Sequence, residues 1–348
     1  MKKITIRNIV ALLMALVLVV GIGNSVYASA NNTIPDEGTI PEVYGFNTTK
    51  GGNKGDGNDS SGTTGKAVTE KDLKPYGTVE TVIKSVSKPT KPDSKDTSMS
   101  NSYGTVDWST AAQGYITFTA KGQTRIFILQ GPNTGAQALM EVAKDETIKV
   151  ALVDGTGKYQ YAIANNTNGG KNYKIQYKNS FNVKTIDSDL AGYLVSTPWG
   201  DFENGPETVK KANELWDDSK SQLENIKALT DWVGDLEYSS KLSHGSLDVY
   251  FSPDEVLANG GGICNEFSKL LAAMLRSKGI PAYVQTGTSL KGVNHGWVRA
   301  WVEIKTETKN GVTYSTGAWI TAEPTGGRLV VKITYEKEYN PDALNYAN

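Results

Sequence analysis

The order of elements along the chain predicts an α+β fold. Short strands come first, helices follow, and a second run of strands closes the pattern, with none of the strand–helix alternation that builds a parallel sheet. Three features carry this reading. Gly-, Asn- and Asp-rich turns such as Asp154-Gly155 and Asn168-Gly169-Gly170 punctuate β-rich runs between 103 and 186. Apolar residues then recur at helical spacing up to Leu275, and strands follow between Ala282 and Glu323.

Taken in order, residues 1–30 read as a signal peptide. Lys2, Lys3 and Arg7 supply a positive start, Ile9 to Ile22 is an apolar run, and Ala28-Ser29-Ala30 is a small-residue cleavage site. The apolar run is short for a membrane span of about 20 residues. The expectation is therefore export to the medium or cell surface, with no span left after cleavage. Residues 31–102 read as a disordered, low-complexity tether, since 47–66 is almost entirely Gly, Asn, Asp, Ser, Thr and Lys. A short extended piece around Thr78 to Ile83 is the one element allowed for there.

Residues 103–186 form a β-rich unit. Tyr115 to Thr119, Arg125 to Leu129, Tyr159 to Ile163 and Tyr173 to Tyr177 are strands at the spacing of a small β-sandwich. Residues 187–348 form the mixed unit. Pro206 opens a helix that runs to Trp216. Leu223, Ile226, Leu229, Trp232, Val233 and Leu236 mark a second helix, and Pro253 to Leu257 a short helical turn. Phe267, Leu270, Leu271, Met274 and Leu275 mark another helix, which Gly279 ends and Pro281 cannot continue. Ala282 to Thr286, His295 to Ile304 and Ala318 to Glu323 are strands.

Composition narrows the function classes. The formal charge of −1 becomes −4 once Lys2, Lys3 and Arg7 are removed, so no basic nucleic-acid footprint is present. Cys264 is the only cysteine, which excludes an internal disulfide. With Cys264, His244 and His295 as the only thiol and imidazole ligands, no zinc site is expected. An exported chain with one free thiol points to a reactive thiol or an intermolecular bridge.

Cys264 follows Gly260-Gly261-Gly262-Ile263 and opens a helix, where the helix dipole favours a thiolate. Such a nucleophile needs a base and a group to orient that base. His295 opens a strand and shares one face with Trp297, Arg299, Trp301 and Glu303, while Val298, Ala300, Val302 and Ile304 face the core. Glu323 ends the next strand on the face of Trp319 and Thr321. With a three-residue loop Lys309-Asn310-Gly311, Thr308 pairs Val312. Glu323 then falls opposite Trp297, a diagonal neighbour of His295 at about 7 to 8 Å. A two-residue Asn310-Gly311 turn separates the two onto opposite faces, and a bulge along either strand alters the count. His244, in a polar loop, is the rival base. Trp297 either lines an acyl site or shields His295. Glu266, in the first turn of the Cys264 helix, reads as a cap.

These residues resemble the transglutaminase-like superfamily of papain-related thiol enzymes. The matching stretches are Gly260 to Cys264, Leu275-Arg276-Ser277-Lys278-Gly279-Ile280-Pro281-Ala282, His295-Gly296-Trp297, and Trp319-Ile320-Thr321-Ala322-Glu323-Pro324-Thr325. Ile226 to Tyr238 resembles the family's helix before the nucleophile. The resemblance implies a papain-like core, with the Cys helix packed on an antiparallel sheet. It also implies Cys264 as nucleophile, His295 as base and acid, and Glu323 as orienter where the family usually has Asp. The implied activity is acyl transfer on protein or peptide amides by cross-linking, deamidation or proteolysis, without a cofactor; wall or surface proteins are candidate substrates. The Glu for Asp exchange leaves a second reading open, a catalytically weak or inactive binding module at the cell surface. An oxyanion donor beyond the Cys264 N–H is not assigned.

Overall fold

The computed structural model describes residues 34, 36–39, 66–89, 97–133, 137–167, 172–242, 251–288, 294–331 and 345–347. The leader, residues 40–65 of the expected tether, and His244 lie outside them. In chain order the strands are β1 (Glu37–Thr39), β2 (Glu80–Val86), β3 (Ser98–Ser100), β4 (Gly104–Asp107), β5 (Tyr115–Ala120), β6 (Arg125–Gln130), β7 (Gln137–Val142), β8 (Thr147–Ala151), β9 (Gly157–Thr167) and β10 (Asn172–Val183). They continue with β11 (Glu237–Tyr238), β12 (Gly261–Gly262), β13 (Ala282–Thr288), β14 (Asn294–Lys309), β15 (Val312–Glu323), β16 (Arg328–Val330) and β17 (Asn345–Ala347). The α-helices are α1 (Glu70–Leu73), α2 (Pro206–Leu215), α3 (Gln222–Gly234), α4 (Pro253–Asn259) and α5 (Cys264–Ser277). No helix among the described residues is long and apolar enough to cross a membrane.

The β-rich unit is a sandwich of two antiparallel sheets, ordered β1-β10-β9-β6-β7 and β3-β4-β5-β8. Alternation along β5 buries Ile116, Phe118 and Ala120. Phe118 stacks on Phe127 of the facing sheet at 4.5 Å between ring centres, so the two inner faces meet in aromatic contact.

The mixed unit is a sheet ordered β16-β15-β14-β13-β17, with α5 packed on β13 and β14. Val298, Ala300, Val302, Ala318, Ile320 and Ala322 are fully buried on one face, as their alternation requires. Trp301 and Trp319 meet edge to face at 5.6 Å on the other, where Tyr193 and Tyr283 pack against Trp319. α2, α3 and α4 surround α5. Ser221 and Ser252 begin α3 and α4 with capping boxes closed by Glu224 and Glu255.

Two findings depart from expectation. Within the 31–102 stretch, residues 66–89 are folded: Thr69 caps α1, and β2 pairs with β15 from Val312↔Val86 to Gly317↔Glu80. The extended piece allowed for around Thr78 to Ile83 is β2, which covers the edge of β15 that β16 leaves unpaired; α1, β1 and β3 lie in the stretch read as tether and correct that reading, because each gains its order from a partner that composition does not show. Asp189 anchors the added strand by accepting the Ile83 N–H at 2.8 Å. The β14–β15 hairpin also turns differently. Its loop is the two-residue Asn310-Gly311, with φ of 53° and 78°, and Lys309 pairs Val312. By itself that turn would put His295 and Glu323 on opposite faces. A bulge at Ile304 restores them, since Lys305 pairs Thr316 but Glu303 pairs Gly317. From there to Val298↔Ala322 the register is the one a three-residue loop would have produced.

Candidate active site

Cys264 is the first residue of α5, preceded by Ile263 in extended conformation (φ −119°, ψ −175°). Ile263 has no side-chain acceptor, so the cap is Glu266 alone, whose Oε2 accepts the Ile263 N–H at 2.9 Å. The capping role expected of Glu266 is thus what its carboxylate does. Gly296 lets β14 approach this helix: a Cβ there would lie 2.6 Å from Asn265 Oδ1. The thiol itself is nearly buried, at 8% exposure.

His295 and Glu323 meet. His295 Nε2 and Glu323 Oε2 are 2.7 Å apart, with side-chain exposures of 19% and 4%. Glu323 uses its other oxygen as well: Oε1 accepts the Thr325 N–H at 3.0 Å and so caps the single helical turn Pro324–Gly326. Burial opposes charge on the imidazole. Hydrogen bonds to Cys264 and Glu323 and the negative charge of both outweigh it, and the His295 pKa is pushed up to about 10.

Trp297 lies beside His295, with ring centres 6.0 Å apart. It is fully buried, and its Nε1–H donates to Gln285 Oε1 at 3.2 Å. A ring with no exposed surface is what the shielding role expected of it requires. Among the described residues no group of three His, Cys, Asp or Glu side chains is arranged to hold a metal ion.

The structure adds Tyr238, which sequence reasoning left inside the helix upstream. That helix ends at Gly234, and Tyr238 sits on β11, paired in parallel with Gly262 of β12. The Ser239 N–H donates to the Gly262 carbonyl at 2.9 Å, which ties this strand to the nucleophile loop. The Tyr238 ring stands edge-on to Phe267 at 5.8 Å and 89°. It is the one large apolar side chain exposed among the described residues, at 53%. Burial of its hydroxyl end, then the charge of Cys264, raise the phenol's pKa, and Glu323 adds to the shift. The Glu237-Tyr238 pair was visible in sequence, but only a non-local strand pairing brings it to Cys264.

The family model described as the transglutaminase-like superfamily matches residues 209–324, about a third of the chain. No curated protein matches the sequence. Among solved structures, a candidate cysteine protease of Cytophaga hutchinsonii is 14% identical, covers 68% of this chain and 84% of its own, and gives a TM-score of 0.34. Calcium-bound LapG of Legionella pneumophila is 15% identical over 40% of this chain and 75% of its own, with a TM-score of 0.29. The periplasmic domain of TgpA from Pseudomonas aeruginosa is 13% identical over 72% and 82%, with a TM-score of 0.30. With Cys264 opening a helix packed on the antiparallel sheet that carries His295 and Glu323, the segment 209–324 is a transglutaminase-like core.

Proposed function

We propose that the protein is an exported thiol enzyme that transfers acyl groups from protein or peptide amides, with Cys264 as nucleophile, His295 as acid and base, and Glu323 as orienter. The observation that carries this reading is the 2.7 Å contact of Glu323 with the imidazole that also bonds Cys264. Nε2 is occupied by Glu323, so Nδ1 serves Cys264. Cys264 gives its thiol proton to His295 as its sulfur attacks the amide carbonyl; a C–S bond forms, the C=O π bond breaks, and the carbonyl oxygen becomes an oxyanion. The backbone N–H of Cys264 and the Tyr238 hydroxyl, which interacts with Cys264, serve as the donors to that charge in this reading. Collapse breaks the C–N bond, and His295 passes its proton to the departing amine or ammonia. Water or a primary amine then attacks the thioester, His295 takes a proton from it, and the thiolate leaves. Water gives hydrolysis or deamidation, and a lysine amine gives a cross-link.

The expected leader supports a place outside the cytoplasm. Glu in place of Asp no longer favours the binding-module reading, because the longer side chain reaches both His295 and Thr325. The reading is tested by replacing Cys264 with Ala and assaying amine incorporation and amide hydrolysis on a mixed protein substrate. Both activities should vanish; unchanged turnover would refute it.

A further inference from the structure

α5 has no solvent face: every residue from Cys264 to Arg276 is buried. Two of them carry charge beneath the nucleophile and take no part in the chemistry proposed above. Glu266 is 0% exposed and Lys269, one turn on, is 1% exposed. Glu266 stands directly against the loop that delivers Cys264. It holds the Ile263 N–H, and a Cβ on Gly262 would lie 2.9 Å from its Cβ and 3.3 Å from its Oε2. Lys269 places its Nζ 5.2 Å from the ring centre of Trp199, itself 1% exposed. The charges facing this ammonium are Glu266 on its own helix, Glu255 on α4 and Asp201 ahead of α2. Burial brings the Lys269 pKa down to about 7 against the pull of those carboxylates. Residues three apart on a helix are neighbours, and with both side chains shut from water the ammonium, while it holds its proton, favours the ionised form of Glu266. Lys269 is shut away from solvent, so it is neither an amine acceptor nor a nucleophile for an external substrate.

We propose that Glu266 and Lys269 are a coupled pair of positioning residues: the Glu266 carboxylate fixes the backbone turn that delivers Cys264, and the Lys269 ammonium keeps that carboxylate ionised. An ionised acceptor makes a stronger hydrogen bond to Ile263 than a neutral one. The Cys264 N–H, next along the chain, is held by the same turn. The inference rests on Cys264 being the nucleophile.

The test compares Glu266→Gln, Lys269→Met and the double variant in the full chain. The readouts are the rate of Cys264 alkylation by iodoacetamide at about pH 6, where Lys269 holds its proton, and, on an amide substrate at the same pH, kcat and KM. Either single change leaves a neutral acceptor at Ile263, so each should slow alkylation and kcat roughly tenfold with KM unchanged. The double variant should be no slower than the singles, because both changes remove the same charge-assisted bond. A double variant slowed about a hundredfold would make the two residues independent and overturn the pairing; so would a Lys269→Met protein that reacts at the wild-type rate. If Lys269→Met fails to fold, melting decides: a double variant as stable as Glu266→Gln supports the coupling, and one that also fails to fold overturns it. Wild-type alkylation no faster than that of a free cysteine would overturn the nucleophile reading and this pairing with it. A fast wild-type rate with unaltered variants overturns the pairing alone.

Discussion

Glu323 makes two contacts with one carboxylate, holding His295 with Oε2 and capping the following turn with Oε1. Its charge is one of the groups that push His295 up to about 10. Glu323→Gln keeps the shape and removes that charge, so the imidazolium should lose its proton at a lower pH. The alkaline limb of kcat/KM should therefore move to lower pH, with kcat reduced roughly tenfold or more; an unmoved limb in a rate–pH profile would separate Glu323 from His295. Trp297→Phe tests the shield. It leaves a gap and an unpaired Gln285 carbonyl, so it should cost about 3 kcal/mol in chemical denaturation while KM stays within a few-fold. A large KM effect at unchanged stability would return Trp297 to the substrate site. At this scale the sequence was informative about Cys264, His295, Glu323 and Glu266, because each sits at an element end that local signals mark. Tyr238 was not legible, since its place beside Cys264 depends on the β11–β12 pairing, and no local pattern reports that pairing.

At the scale of elements, the hairpin β14–β15 decides whether the thiol has an oriented base. The Asn310-Gly311 turn and the Ile304 bulge are opposite one-residue shifts, and only together do they bring Glu323 to His295. Deleting Ile304 should remove only the bulge: Glu303 and Lys305 would become consecutive and still face Gly317 and Thr316, so Glu323 stays on the face of His295 and most of the activity should persist. An assay of this variant, with circular dichroism to confirm folding, checks this; a folded but inactive deletion variant would contradict it. The alternation of Val298, Ala300 and Val302 against Trp297, Arg299 and Trp301 made the two faces legible. The bulge was not, because Ile304 continues the same apolar pattern and nothing in its type announces that it is left unpaired. β2 was legible as an extended piece, but its partner was not, for a related reason: it is held by the free edge of a strand more than two hundred residues away.

For the whole molecule, His295 and Lys269 oppose one another in the dependence of stability on pH, and buried Arg276, lowered to about 9, adds to the rising side only above that pH. The folded state holds the His295 proton up to about 10, against 6.5 unfolded, so that contribution is complete below 6.5 and is lost as pH rises through about 10. Lys269 works in the other sense. Its folded pKa of about 7 lies below the unfolded 10.5, so the unfolded chain binds more protons between them and stability rises with pH across that window. Thermal unfolding of the wild type should therefore change little between pH 7 and about 8.5. Lys269→Met, which removes the rising part, should melt at a lower temperature at the higher pH; equal melting temperatures would contradict this assignment. The mixed fold, with strands first, helices next and strands last, was readable from strand spacing and helical periodicity. Within residues 66–89 only the extended piece was readable and not α1 or the strand's partner, since a polar composition says little about a segment that gains its burial from a partner strand.

The central claim is that Cys264 forms an acyl bond with its substrate, and intact-mass spectrometry tests it most directly. The protein would be mixed with glutamine-containing and other amide peptides, quenched in acid and weighed. The account predicts an added mass equal to the peptide's acyl portion, lost on hydroxylamine treatment, absent from Cys264→Ala and strongly reduced in His295→Ala. Peptide turnover without any such adduct, or an adduct that persists in Cys264→Ala, would contradict it.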